Sequence, residues 1–141
     1  MRRIVVLGAG FAGLWSAAGA ARKLDELGVG PDGVEVVVIN RTPFHSIRVR
    51  NYEADLSGTL VPLRNVLEPI GVRHIEATVT GLDLERRVVS YDSGAACELG
   101  YDRLVFALGS RVAVPPIPGL AEYGFSIDTY EDAARLHAHL A

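Results

Sequence analysis

Four apolar residues, Ile4-Val5-Val6-Leu7, run directly into Gly8-Ala9-Gly10-Phe11-Ala12-Gly13 and then into a long stretch of small residues, and no other feature narrows the fold as much. A continuous β-branched run predicts a strand covered on both faces, as in a parallel sheet. From Ala12 to Leu27 the residues Leu14, Ala17, Ala18, Ala21, Leu24 and Leu27 recur at helical spacing, with Arg22, Lys23, Asp25 and Glu26 at the wetter end. Each glycine between strand and helix has its own task. Gly8 permits the tight turn off the strand, Gly10 lets backbone approach a pyrophosphate, and Gly13 lets helix and strand pack closely. The helix N-terminus offers free N–H groups and the positive end of its dipole to the phosphates. The turn, Phe11 and Ala12 included, is therefore expected to seat a dinucleotide.

The same spacing occurs again at Gly28, Gly30 and Gly33, where it serves as a control. Those glycines follow a helix, include Pro31 and precede the apolar run Val34 to Ile39. An anion site cannot be built in that order, so they read as a linker into a second strand, completing a βαβ unit over residues 1–40. That strand ends at Asn40, where an Asp or Glu usually accepts hydrogen bonds from the adenosine ribose. An amide can still bond a hydroxyl, without charge assistance. Arg41 follows, and Asn40-Arg41-Thr42 could instead seat a 2′-phosphate, which makes NADPH the rival ligand; Arg41 is equally readable as a solvated loop charge.

Farther along, residues 41–58 are polar and aperiodic, predicting loop with one irregular helix. Thr59 is expected to cap a short helix through Leu67, with Pro62 in its first turn and Pro69 ending it. Residues 71–75 resemble another parallel strand. Three short runs, Ala77 to Thr80, Val88 to Tyr91 and Cys97 to Leu99, lie at the tight spacing of an antiparallel meander. Leu104 to Leu108, introduced by Tyr101-Asp102 and ending at Gly109, reads as a further buried strand. The proline-rich stretch 114–119 should leave as an extended connector. Asp128 as cap and Glu131 three residues later announce a final helix.

The remaining chemistry is sparse. One cysteine, Cys97, excludes an internal disulfide and a CxxC redox pair. It reads as a half-buried meander residue. His45, His74, His137 and His139 form no persuasive metal set, and Ser16 and Ser110 lack the context of a hydrolase nucleophile. No residue is expected to be catalytic. A net charge of -3 gives no broad attraction to nucleic acid. No run reaches the roughly 18 apolar residues of a membrane span, which leads us to expect a cytoplasmic chain.

The whole chain resembles the N-terminal part of the FAD-dependent pyridine nucleotide-disulfide oxidoreductase superfamily, and most of all type II NADH dehydrogenases and apoptosis-inducing-factor-like flavoproteins. The resemblance rests on the order of Ile4 to Gly13, Ala77-Thr78-Val79, Tyr101 to Ser110 and Ile117-Pro118-Gly119. It implies an α/β fold, a Rossmann-like FAD-binding parallel sheet with an inserted antiparallel β-meander. The implied cofactor is FAD, with the backbone around Val79 near the adenine and the turn Ala107 to Gly109 near the phosphates and ribityl chain. Leu108 stands where the family usually has threonine, and Asn40 where it has an acid.

The implied domains are a partial FAD-binding domain over 1–118, holding the meander at about 77–100 and the second flavoprotein motif at 101–110, then a connector and helix over 119–141. By the same resemblance an NAD(P)H domain would follow, so we expect a fragment, a truncated chain, a degenerate reading frame or one half of a split protein, incomplete for turnover alone. NAD(P)H would become a partner only if that domain were supplied. Two alternatives stand beside this one: an NADPH-binding Rossmann domain, and a non-catalytic flavin-fold remnant that forms a homo-oligomer through apolar surface at residues 112–117.

Overall fold

The computed structural model describes residues 1–141, which divide into two compact units. The first holds Met1–His45 and Pro62–Leu108, and the second holds Ser46–Val61 and Gly109–Ala141.

The first unit is built on a four-stranded parallel sheet of β1 (Arg2–Leu7), β2 (Val34–Asn40), β5 (Arg73–Glu76) and β9 (Arg103–Phe106), in the order β5-β2-β1-β9. Its strands alternate faces, as the two-residue repeat of β-structure requires. Val6, Val36 and Val38 point to one side, where α1 (Phe11–Glu26) covers them through Leu14, Ala17 and Leu24, joined by Leu67 of α2 (Arg64–Leu67) and by Leu63 just before that helix. Val5, Leu7, Val37 and Ile39 point to the other, where they meet a second sheet. That sheet is an antiparallel meander of β6 (Thr78–Asp83), β7 (Val88–Asp92) and β8 (Ala96–Gly100), contributing Val89 and the half-buried Val79, Tyr91 and Leu99. Burial on both faces explains the apolar runs Ile4–Leu7 within β1 and Val36–Ile39 within β2.

From β1 the chain moves through α1 to β2 on one side, and it returns much later to β9 on the other side of β1. This reversal at β1 is the topological switch at which open α/β sheets bind ligands, beyond the carboxyl ends of the strands. The parallel sheet and the meander are those read from the sequence. Gly28, Gly30 and Gly33 form the hydrogen-bonded turn between α1 and β2, Gly33 N–H donating to the Gly30 carbonyl at 3.0 Å. Cys97 is half-buried and faces Tyr91 across the meander.

The segment around residue 60 differs from the sequence expectation. Two three-residue strands, β3 (Phe44–Ser46) and β4 (Leu60–Pro62), flank it, with a single 3₁₀ turn over Arg48–Arg50 between them. Thr59 does not cap a helix. Its hydroxyl donates back to the Leu56 carbonyl at 2.8 Å, Leu60–Pro62 is extended, and helix begins only at Arg64. Pro69 lies in the 3₁₀ turn Glu68–Ile70 that follows α2.

In the second unit, residues 109–118 carry no regular structure, and two helices follow, α3 (Leu120–Tyr123) and α4 (Tyr130–Leu140). The cap of α4 is Thr129, whose Oγ1 accepts the Asp132 N–H at 3.1 Å. Asp128, the expected cap, instead pairs with Arg48, whose guanidinium also donates to the Ser110 carbonyl. Asn51 is buried and donates to the Ile127 carbonyl at 3.2 Å. No helix is long and apolar enough to cross a membrane.

Candidate functional site: the glycine turn at the carboxyl end of β1

Gly8 leaves β1 with φ +90, a backbone conformation that side chains disfavour. A Cβ at Gly8 would lie 2.3 Å from the Ala107 carbonyl oxygen, so the turn nests against the end of β9 with no room for a methyl group. At Gly13 a Cβ would lie 1.9 Å from the Gly8 carbonyl oxygen. The first turn of α1 thus rests directly on the backbone of the loop. Two short backbone bonds fix the corner: Gly8 N–H donates to Ile39 at 2.8 Å, and Ala107 N–H donates to Leu7 at 2.9 Å.

Gly10 is the opposite case. It is exposed, and nothing lies within 4 Å of where its Cβ would be. Packing within the chain does not require glycine there. As N-cap of α1 it supplies no side-chain oxygen, and the first turn holds no acidic residue. The first intrahelical bond is Leu14 N–H to the Gly10 carbonyl at 2.9 Å, leaving the N–H groups of Phe11, Ala12 and Gly13 at the head of the helix. The head of the helix therefore presents backbone donors and about half a unit of positive charge, neutralised by no side chain.

Asn40, at the end of β2, is tied into this corner. Its Oδ1 accepts the Ala9 N–H at 2.9 Å, and its Nδ2 donates to the Thr42 carbonyl at 2.8 Å. Arg41 beside it is exposed and has no side-chain partner. His45 is a participant that the sequence did not single out. Only 5 % exposed, it places Nδ1 2.8 Å from the Ala9 carbonyl and packs edge-on against the Phe11 ring. Its stretch has no periodicity, so nothing in the sequence brings it to the glycine turn.

Of the residues singled out from sequence, Gly8, Gly10, Phe11, Ala12, Gly13, Asn40 and Ala107 gather at this corner. Val79 lies on β6, half-buried in the apolar layer with Leu7 and Ile39. Gly109, with φ +79, begins the second unit.

A strand, a close-packed glycine corner and a bare helix N-terminus at a sheet's switch point define a Rossmann-type nucleotide-binding architecture. Residues 2–141 match the pyridine nucleotide-disulphide oxidoreductase family, and the chain belongs to it. It is 56% identical over 140 residues to an NADH dehydrogenase-like protein of Mycobacterium tuberculosis, covering 99% of this chain and 34% of that one. It is 30% identical over 145 residues to the type II NADH:quinone oxidoreductase of Staphylococcus haemolyticus, again covering 99% and 34%. The chain thus spans about a third of the length of these curated relatives. Among solved structures, the sulfide:quinone oxidoreductase of Aquifex aeolicus superposes with a TM-score of 0.79 at 24% identity, covering 99% of this chain and 32% of that one. That likeness concerns the fold.

Proposed function

We propose that the chain is the FAD-binding portion of an NAD(P)H-dependent, NADH dehydrogenase-like oxidoreductase, and that it turns over only together with an NAD(P)H-binding domain. The observation that carries this is Gly10. A glycine that no intramolecular contact demands, at the head of a helix without acidic residues, suits a position whose open space belongs to a ligand phosphate. The pyrophosphate would lie against the N–H groups of residues 10–13. Asn40 and Arg41 would border the adenosine ribose, the backbone at Val79 the adenine, and the Ala107–Gly109 turn the ribityl side. When bound, FAD supplies the hydride-accepting chemistry, while the residues of this chain hold and orient it.

The test is an absorption spectrum of the purified chain, then titration with FAD. We expect saturable flavin binding that Gly10→Val abolishes without loss of the fold, because the new side chain enters empty space on the ligand side. Flavin binding unchanged in Gly10→Val would remove the site assignment.

One observation favours a second reading. Arg41 is exposed and unengaged beside Asn40 and Thr42, where it could meet a 2′-phosphate. That reading calls for NADPH to bind more tightly than NADH, with the difference lost in Arg41→Ala.

A further inference from the structure

Ala9 is held from both sides. Asn40 Oδ1 takes its N–H at 2.9 Å, and His45 Nδ1 lies 2.8 Å from its carbonyl oxygen. A carbonyl oxygen can only accept, so Nδ1 carries the ring proton and donates it. The ring has little freedom to leave, because it is buried and stands at 86° against Phe11 with centroids 4.8 Å apart.

The consequence lies one peptide further on. The Ala9 carbonyl and the Gly10 N–H belong to one planar trans unit and point in opposite directions. Fixing the carbonyl on His45 turns the Gly10 N–H away from the protein, on the side where Gly10 is exposed. Glycine opposes peptide rotation less than any other residue, so a bare Gly10 would leave this group free to turn. A turned peptide would present a carbonyl dipole to an anion in place of an N–H.

We propose that His45 is a positioning residue for the glycine turn: its Nδ1–H locks the Ala9–Gly10 peptide so that the Gly10 N–H joins the α1 N-terminus in facing the pyrophosphate. This rests on the reading of the turn as a dinucleotide site, and it adds a determinant that no glycine spacing encodes.

Three measurements on the intact chain test it. Nitrogen-15 NMR of wild-type His45 should show the Nδ1–H tautomer; an Nε2–H tautomer overturns the proposal and requires no variant. In the ligand-free protein, His45→Leu should move the Gly10 amide resonance, whereas His45→Asn, whose Nδ2 can stand where Nδ1 does, should leave it near its original position. An unmoved Gly10 resonance in His45→Leu also overturns it. For FAD, titrated by flavin fluorescence, His45→Leu should raise Kd about tenfold and His45→Asn should restore most of the affinity. Equal Kd values in wild type and His45→Leu sink the proposal, as does a loss in His45→Leu that His45→Asn fails to rescue. If the wild type binds no dinucleotide at all, the functional reading fails, while the tautomer and the Gly10 amide still decide whether His45 orients that peptide.

Discussion

Gly13 and the Gly8 carbonyl are in such close contact that a single methyl group on Gly13 would lie 1.9 Å from the oxygen. The neighbour is backbone, and Gly8 is itself held by Ile39 and wedged against Ala107. Neither partner can yield.

Gly13→Ala should therefore destabilise the first unit by about 1–3 kcal/mol or more, the range for overpacking a filled core. Gly10→Val should leave the unfolding midpoint nearly unchanged. Urea unfolding followed by far-ultraviolet circular dichroism separates them, and equal midpoints for Gly13→Ala and wild type would show that α1 does not rest on the loop.

Asn40→Asp would restore the acid usual in the family, yet it should weaken this chain. Asn40 Nδ2 donates to the Thr42 carbonyl at 2.8 Å and lies 3.4 Å from the Phe44 carbonyl. A carboxylate would face both with no proton to give, at a cost of about 1–3 kcal/mol. Its stronger bond to the Ala9 N–H offsets only part of this. A variant as stable as the wild type in urea would refute the account.

Glu35 bridges three neighbouring strands, accepting from Arg3 on β1 at 2.6 Å and from Arg73 on β5 at 3.1 Å. Burial pushes its carboxyl up, but the hydrogen bonds and charges of the two arginines more than offset this and hold it below the ordinary glutamate value. A carboxyl depressed in the folded state contributes stability that is fully present above the unfolded value near ~4.3, and lost as pH falls through the folded one. Glu35→Gln should lower stability at neutral pH and flatten the acid limb below about pH 4.3. A pH–stability curve parallel to wild type through that window would contradict it.

His74 acts at a higher pH. Its Nε2 is buried without a partner, and burial, only partly opposed by Glu76, lowers its pKa below the usual histidine value. Protonation is then harder in the folded chain than in the unfolded one. Stability should decline as pH falls from the unfolded value near ~6.5 to the lower folded one. His74→Leu should remove that decline and stabilise the chain around pH 5. Thermal melts from pH 7.5 to 5 check it, and an unchanged slope would rule it out.

Where the sequence could be read, packing explains why. Val5, Val6, Val37 and Val38 are fully buried on both faces of one sheet, so their runs carry the signature of a parallel strand without ambiguity. The three-residue strands β3 and β4 and the single-turn helix α3 lie in polar or proline-flanked stretches without an apolar run, and the sequence does not announce them. Asp128 and Thr129 are adjacent residues of the same capping type, and only the engagement of Asp128 by Arg48 decides between them. At the site, the glycines are legible because their spacing, between an apolar strand and a small-residue helix, is a contiguous pattern in the sequence. The hold of Asn40 and His45 on Ala9 was not, because it joins residues more than thirty positions apart.

The second unit takes its two pieces, Ser46–Val61 and Gly109–Ala141, from either side of residues 62–108. Its interior contacts, such as Asn51 with the Ile127 carbonyl and Arg48 with Asp128, close a loop containing β4 to β9. The entropic cost of that closure is lower once the intervening strands have collapsed into their own sheet, so the first unit should assemble before the second. On a ribosome the residues after Leu108 would emerge only after the strands of the first unit, and find their earlier half already waiting. A destabilising change within the parallel sheet should therefore slow the folding of both units, and one near Asn51 should chiefly hasten the loss of the second.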